Sequence, residues 1–415
     1  MEHELVCQVC GGSFPPGNYR TGCPACHEQG EAGWLQVEYD TTAAADALPP
    51  SPDAPTSMWR YEALLPLLGD EPVTIGEGWT ALVPATGLST ELGVDVHLKN
   101  ETTNPTWSYK DRLNALLVSN VVAREDEPRI ATASTGNHGA STAAYASRAG
   151  VDDVIVLLPH ETEAACRAQI RAYGGQAIVT DFDERRPLLA ELVERGWYPT
   201  INTSDRSYIG QPYGVEGYKT IAFEIYEQLE EMPAAVFTGV GDGDGIYGMW
   251  KGFTELIELG VTDSVPRLVG VQSTERPTLV RSVESGEEPR PIDGPLPLTL
   301  STGTTSVGPH AVRAVRESDG TAFAVEQRDV ERAIRDLGRE GIYPEPASAL
   351  PVAGLRSAVA DGTLNLGETA VCVVTGAGVK WPGHTSDATG ETSVIEPTLD
   401  ALEAAVPFSL DEPVR

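Results

Sequence analysis

The stretch "RIATASTGNHGASTAAYASRAGVDDVIVLLP" (129–159) decides how the chain is read. Residues 129–135 form a short apolar run suited to a buried strand. Gly136 breaks it, and "GASTAAYASRAG" (139–150) follows as a helix. "DVIVLLP" (153–159) is a second buried strand. Strand, polar turn, helix and strand within one short segment make a βαβ unit, and that unit requires a parallel pair of strands.

The same alternation continues outward. A helix over "EAACRAQIRAYGG" (163–175), a strand at "AIVTDF" (177–182), a helix through "RPLLAELVERG" (186–196) and the run "YPTINT" (198–203) follow. Further strands are expected at "VDVHLKNE" (94–101), "AAVFTGV" (234–240), "RLVGVQS" (267–273) and "TAVCVVTGAG" (369–378). Short apolar strands between helices predict an α/β protein with parallel sheets covered on both faces. A helix is also expected around "MWRYEALLPLLG" (58–69).

The N-terminal 40 residues read differently. Cys7-x2-Cys10 and Cys23-x2-Cys26 are two CxxC pairs twelve residues apart. In a chain read as cytoplasmic, such pairs predict a closed tetrathiolate site for structural zinc rather than disulfides. Residues 41–57, "TTAAADALPPSPDAPTS", have four prolines and no apolar periodicity, so they read as a linker. The polar, acidic end beyond about residue 385 is expected to lie on the surface.

Charge narrows the function. Acids outnumber bases 61 to 29, a formal net charge of −32. The acids are scattered rather than blocked, and apolar periodicity runs through most of the chain, which argues against a disordered acidic chain and against a binder of basic partners. A polyanion would be repelled, which argues against nucleic-acid binding. No run of about 18 apolar residues exists, so no membrane span is expected. The remaining reading is a folded protein adapted to concentrated salt, where the Debye length at 1 M is about 3 Å.

Only five lysines occur, at 99, 110, 219, 251 and 380. One of them lies in "NPTWSYKDR" (104–112), at the start of an expected helix and beside two aromatics. An amine desolvated there, near the positive helix end, is expected to lose its proton more easily and become a nucleophile. The competing reading is a lysine paired with Asp111. Three further stretches could serve a phosphorylated cofactor. "STGNH" (134–138) offers hydroxyls, an amide and backbone N–H groups at a helix start, suited to a carboxylate or phosphate. "GVGDGDGIYG" (239–248) is a glycine-rich turn after a strand, in which Asp242 and Asp244 must turn away from any phosphate. "VVTGAG" (373–378) puts Thr375 at the end of a buried strand, where open α/β sheets bind ligands. Lysine and phosphate loop together point to pyridoxal phosphate.

These stretches, with "GYKTIAFEI" (217–225), "GIYPEPASA" (341–349) and "TGAGVK" (375–380), resemble the threonine synthase family of the tryptophan-synthase-like (β-subunit type, fold type II) pyridoxal phosphate enzymes. The resemblance implies two parallel-sheet domains after the zinc ribbon of residues 1–40: a large cofactor-binding domain from 58–111 and 206–385, and a small α/β domain from 112–205, with 386–415 as an acidic tail. It implies that Lys110 holds the cofactor through a Schiff base and then shuttles protons. Asn137 should meet the cofactor's ring oxygen, Gly241, Asp242, Gly243, Asp244 and Gly245 its phosphate, and Thr375 its pyridine nitrogen. Ser134, Thr135, Gly136 and His138 should hold the substrate. The implied reaction converts O-phosphohomoserine and water to threonine and phosphate, in a cytoplasmic enzyme that is expected to form a homodimer.

Three departures keep other activities open. The resembled family often has an arginine where this chain has Gly214, its "IGNPV"-like stretch is replaced by "STGTTSVGP" (301–309), and His138 is more usual in serine/threonine dehydratases. A dehydratase or β-replacing enzyme on an O-substituted amino acid, and a binding protein without catalysis, are the alternatives.

Overall fold

The computed structural model describes residues 3–41, 48, 50–203, 210–390 and 392–410. Part of the expected linker and the last five residues of the tail lie outside these.

The chain opens with three short strands, β1 (Glu4–Cys7), β2 (Ser13–Phe14) and β3 (Leu35–Glu38), paired antiparallel in the order β2-β1-β3. The four clustered cysteines lie on and between them. The segment expected to be helical at 58–69 is instead two short 3-10 turns within Met58–Leu64, kinked at Tyr61, whose backbone is not helical. Ser57 caps its start and Pro66 follows two residues beyond its end, which leaves no room for a regular α-helix.

Strands β4 (Leu82–Pro84) and β5 (Asp95–Asn100) come next, then β6 (Ile130–Ala133), β7 (Val154–Leu158), β8 (Gln176–Val179) and β9 (Tyr198–Pro199). The last four form a parallel sheet in the order β8-β7-β6-β9. Strands β10 (Ala235–Gly239), β11 (Arg267–Ser273), β12 (Thr321–Val325) and β13 (Thr369–Val374) join β5 and β4 in a six-stranded sheet, β12-β11-β10-β13-β5-β4. The expectation of purely parallel sheets needs one correction: β4 runs antiparallel to β5. Only ten residues separate the two strands, too few for a parallel crossover but enough for the short helix Thr86–Leu92, which turns the chain back.

The central strands β6 and β13 are buried, as their largely apolar sequences require: every residue of β6 is buried, Thr132 included, and so is all of β13 after Thr369. Helix Pro212–Leu229 packs against both Lys110–Val122 and Asp244–Glu258, and the outer two start at the cavity described below. The N-terminal sheet docks on Pro212–Leu229 and Asp244–Glu258. The Lys251 ammonium donates to the Val37 carbonyl at 2.6 Å, the Tyr39 hydroxyl donates to Glu255 at 2.6 Å, and Trp34 meets the Tyr247 ring edge-on. No helix among the described residues is long and apolar enough to cross a membrane.

A buried ionic network fixes the helix that starts at Lys110. The Arg112 guanidinium donates to both oxygens of Glu101, at 2.8 and 2.7 Å, and to both oxygens of Glu224, at 2.5 and 2.8 Å. Lys99 reaches Glu224 at 2.6 Å from β5. Burial alone would raise the Glu224 carboxyl, but Arg112 and Lys99 outweigh it and hold it at about 2. Removing one partner would strand a buried charge at a cost of about 3–5 kcal/mol. Lys99 is therefore structural, as its place outside "NPTWSYKDR" predicts.

Candidate active site

The C-terminal ends of β6, β10 and β13 open onto one cavity of about 290 Å³ between the two larger sheets. Lys110 lines it, with Tyr109 beside it. The signature loop is stitched to the end of β13: Tyr109 N–H donates to the Thr375 carbonyl at 2.9 Å, and Ala377 N–H to the Trp107 carbonyl at 3.0 Å. This sets Lys110 at the first turn of its helix, facing the cavity rather than solvent.

Two expectations about Lys110 are overturned. Trp107 does not desolvate it. Trp107 adopts a left-handed backbone, φ +67°, which throws its ring outward to 43% exposure. The aromatic contacts come from Tyr109 and Tyr218, whose ring centres lie 4.6 and 5.4 Å from Nζ. Nor is the ammonium destabilised. Burial pulls its pKa down, but Tyr109, Tyr218 and the Asp244 carboxylate outweigh that, and the net shift is upward. Expecting a depressed pKa counted desolvation and left out the oxygens that solvate the charge. The pairing with Asp111 is excluded as well. That carboxylate accepts from Thr106, N–H at 2.7 Å and Oγ1 at 2.5 Å, and burial raises it to about 6.

Asn137, Ser134, Thr135 and His138 approach from the β6 side and line the cavity; Gly136 lies in the same turn without lining it. The Ser134 hydroxyl accepts from Gly136 N–H at 2.9 Å and Gly139 N–H at 3.0 Å, so it caps the helix and keeps only its own O–H to donate. Asn137 Nδ2 sits 2.8 and 2.7 Å from the two Glu345 oxygens, while its Oδ1 is buried without a partner. Burial raises the Glu345 carboxyl. His138 Nε2 is 2.8 Å from the Thr200 hydroxyl. Burial, aided by the charge of Lys110, lowers its pKa to about 3, so the ring is neutral near pH 7.

The glycine turn follows β10 and leads into helix Asp244–Glu258. Gly241, Asp242, Gly243, Asp244 and Gly245 all line the cavity. A Cβ on Gly241 would sit 2.9 Å from the Ser301 carbonyl, and one on Gly245 would sit 2.9 Å from the Tyr109 ring. Asp242 is turned aside by Arg186, whose NH2 group reaches its two oxygens at 2.8 and 2.7 Å. An Asp244 oxygen lies 3.1 Å from His310 Nε2. At the end of β13, the Thr375 hydroxyl is 2.8 Å from that of Ser348.

This set fits pyridoxal phosphate. A tight glycine turn at a helix start suits its phosphate, a neutral hydroxyl pair suits an unprotonated ring nitrogen, Asn137 lines the cavity with its Oδ1 buried and unpartnered, and one amine lines the same cavity. Sequence reading missed Glu345, Arg185 and Arg186 as cavity residues. Glu345 lies in the "GIYPEPASA" stretch and could have been taken from it; the two arginines belong to no motif, and their only signal is that they open a helix against its dipole.

The family profile described as "Pyridoxal-phosphate dependent enzyme" matches residues 73–376. Among curated proteins, the chain is 34% identical to a threonine synthase of Methanosarcina acetivorans, over 97% of this chain and 98% of that one. It is 36% identical to a threonine synthase of Mycobacterium bovis, over 79% of this chain and 89% of that one. The chain belongs to the threonine synthase family. Among solved structures, an L-serine ammonia-lyase from Rhizomucor miehei has a TM-score of 0.66 at 22% identity, covering 77% of this chain and 99% of that one. The processed threonine deaminase isoform 2 of Solanum lycopersicum has a TM-score of 0.61 at 24% identity, covering 72% and 79%. These two likenesses show the fold alone.

Proposed function

We propose that the protein converts O-phosphohomoserine and water to threonine and inorganic phosphate. The observation that carries this is the convergence of the Lys110 amine, the 241–245 turn and the Thr375 hydroxyl on one cavity. Bound pyridoxal phosphate supplies the electron sink that lets carbon–hydrogen bonds of the substrate ionise. Lys110 holds the cofactor and then moves protons at the substrate Cα and Cγ. The turn from Gly241 to Gly245 takes the cofactor phosphate. Asn137 keeps one N–H on Glu345 and offers the other to the ring oxygen. Thr375 meets the ring nitrogen without protonating it, which favours elimination and replacement over transamination. Ser134, Thr135 and a neutral His138 hold the substrate carboxylate, while Gly136, expected to join them, does not line the cavity and donates its N–H to the Ser134 hydroxyl. The Cγ–O bond to phosphate and one Cβ–H bond break, Cγ gains a proton, water supplies the hydroxyl at Cβ and its other proton goes to phosphate, so phosphate and threonine leave in equal amounts.

A second reading, a serine/threonine dehydratase or β-replacing enzyme, rests on Gly214, which offers no cation to a substrate phosphate. Cofactor-loaded protein given O-phosphohomoserine should release phosphate and threonine in a 1:1 ratio. Keto acid from serine or threonine, with no phosphate released, would favour the second reading.

Three finer assignments belong to the same proposal. Residues 58–111 with 206–385 form the cofactor domain and 112–205 the smaller domain. Cys7, Cys10, Cys23 and Cys26 hold one structural zinc ion. Their sulfur atoms all lie within 4.8 Å of one another, with Cys7–Cys26 at 3.8 Å and Cys10–Cys23 at 3.7 Å. A tetrahedron with Zn–S bonds of about 2.3 Å has edges of about 3.8 Å, which supports that metal. A homodimer is the proposed assembly, to be checked by sedimentation.

A further inference from the structure

Three cationic side chains line the cavity: Lys110, Arg185 and Arg186. Lys110 is committed to the cofactor in the reading above. Arg186 is committed to Asp242. Arg185 is not committed to any anion. It opens the helix Arg185–Glu194, on the wall opposite the glycine turn's own sheet. The residue is only 7% exposed. Nε donates to the Phe182 carbonyl at 2.9 Å, and the guanidinium lies over the Phe182 ring at 4.0 Å. Among the described residues no carboxylate lies within ion-pair distance of it. Burial, then the charge of Arg186, pulls its pKa down to about 10, with Asp242 offsetting only part of this. A buried, partly solvated cation on a cavity wall is costly unless an anion arrives.

The other walls match an anion. Ser301, Thr302, Thr304 and Thr305 line the same cavity. Arg276 fixes the segment that carries them, donating to the Gly303 carbonyl at 2.6 Å and the Gly294 carbonyl at 3.0 Å. Position 214 cannot contribute. A Cβ there would stand 2.7 Å from Cγ of Leu113, itself a cavity residue, so Leu113 occupies the space a longer side chain would need.

We infer that Arg185 recognises the phosphate group of the substrate, supplying from the smaller sheet the cation that Gly214 does not supply. This rests on the proposed O-phosphohomoserine reaction. The geometry leaves the two terminal nitrogens for phosphate oxygens, in the fork arrangement that guanidinium gives to oxyanions. Arg185 is thus a specificity-determining residue: it separates phosphorylated from free hydroxy-amino acids and takes no part in proton transfer.

The test compares wild type, Arg185→Gln and Arg185→Lys as cofactor-loaded, full-length proteins, with thermal unfolding to establish that each is folded. KM and kcat for O-phosphohomoserine are measured. Binding of inorganic phosphate and of homoserine, which lacks the phosphate, is measured by calorimetry, and cofactor affinity by titration. Arg185→Gln should raise KM roughly 10- to 100-fold and weaken inorganic phosphate by a similar factor, the loss expected for charge-assisted hydrogen bonds. Homoserine and cofactor affinity should stay within about twofold, and Arg185→Lys should recover part of the loss. Unchanged KM and phosphate affinity would overturn the inference. So would an equal loss of homoserine binding, which would make the role structural, or a loss of cofactor, which would assign Arg185 to the cofactor's own phosphate. Failure of the wild type to turn over O-phosphohomoserine would sink the proposed reaction instead. The phosphate titration would still decide whether Arg185 binds phosphate.

Discussion

Replacing Gly243 by alanine adds one methyl group to the tightest point of the glycine turn. Gly243 has φ +113°, a conformation that costs a side-chain-bearing residue about 1–3 kcal/mol. The new Cβ would also overlap the Ala311 Cβ and stand 3.2 Å from His310 Nε2. Both neighbours are fully buried in the start of helix Pro309–Glu317, so neither can swing aside. Overpacking of this kind costs about 1–3 kcal/mol more. The turn can relieve a total of about 2–6 kcal/mol only by moving, and moving it displaces the N–H groups meant for the cofactor phosphate. Since about 1.4 kcal/mol is a factor of ten, cofactor affinity should fall at least about 30-fold. The assay is titration of cofactor-free protein with pyridoxal phosphate, followed by the visible absorbance of the loaded enzyme. Gly260→Ala is the control. It has φ +69° with nothing within 4 Å of a Cβ, so it should cost about 1–2 kcal/mol of stability and leave cofactor affinity alone. A folded Gly243→Ala protein that binds cofactor like wild type would refute the cradle.

Lys110→Ala should abolish both the visible absorbance of the loaded protein and turnover, and Lys110→Arg should restore neither, because a guanidinium stays protonated; any residual product above about 1% would count against its role. Cys7→Ser should lose metal in elemental analysis and lower the melting temperature while the cofactor spectrum persists; a lost spectrum would mean that the ribbon acts through Trp34, Tyr247 and His310 on the glycine turn, since those rings touch. His138 binds its proton only near pH 3 when folded, against about 6.5 when unfolded, so the unfolded state takes up more protons between these values. Its contribution is complete above pH 6.5 and is lost as pH falls; urea unfolding of wild type should therefore lose stability from pH 6.5 to 4.5 more steeply than His138→Gln, and parallel slopes would refute the neutral ring. Raising potassium chloride from about 0.1 to 2 M should raise the melting temperature, because the net charge of −32 is then screened; a flat response would remove the salt-adaptation reading.

The βα alternation is readable because strands buried on both faces must be mostly apolar, and β6, β7, β10, β11 and β13 are short, largely apolar runs with only an occasional Thr, Gln, Ser or Arg. The start of the helix that carries Lys110 is readable too, since the chain has few other reasons to keep a lysine just after two aromatics. What lies between distant segments is not. The upward shift of Lys110 depends on Tyr218, a full domain-length further along. Asn137 is braced by Glu345 across 208 residues of sequence. Trp107 looks like a pocket aromatic until a left-handed backbone turns it out. The segment "FDERRPLLAEL" gives no sign that Arg185 is buried while Arg186 forks onto Asp242. The lysines are a further case. Lys99, Lys219, Lys251 and Lys380 are all buried, and Lys110 faces the cavity, so none of the five serves the surface. Composition shows their scarcity; only the fold shows that each survivor has an interior task.

The central claim is the reaction, and its most direct measurement is product stoichiometry in high salt. Cofactor-loaded enzyme is incubated with O-phosphohomoserine, and phosphate and threonine are quantified together, with serine and threonine as parallel substrates. Equal amounts of phosphate and threonine, absent in Lys110→Ala, are the predicted result. Silence with O-phosphohomoserine alongside keto acid from serine or threonine would contradict it.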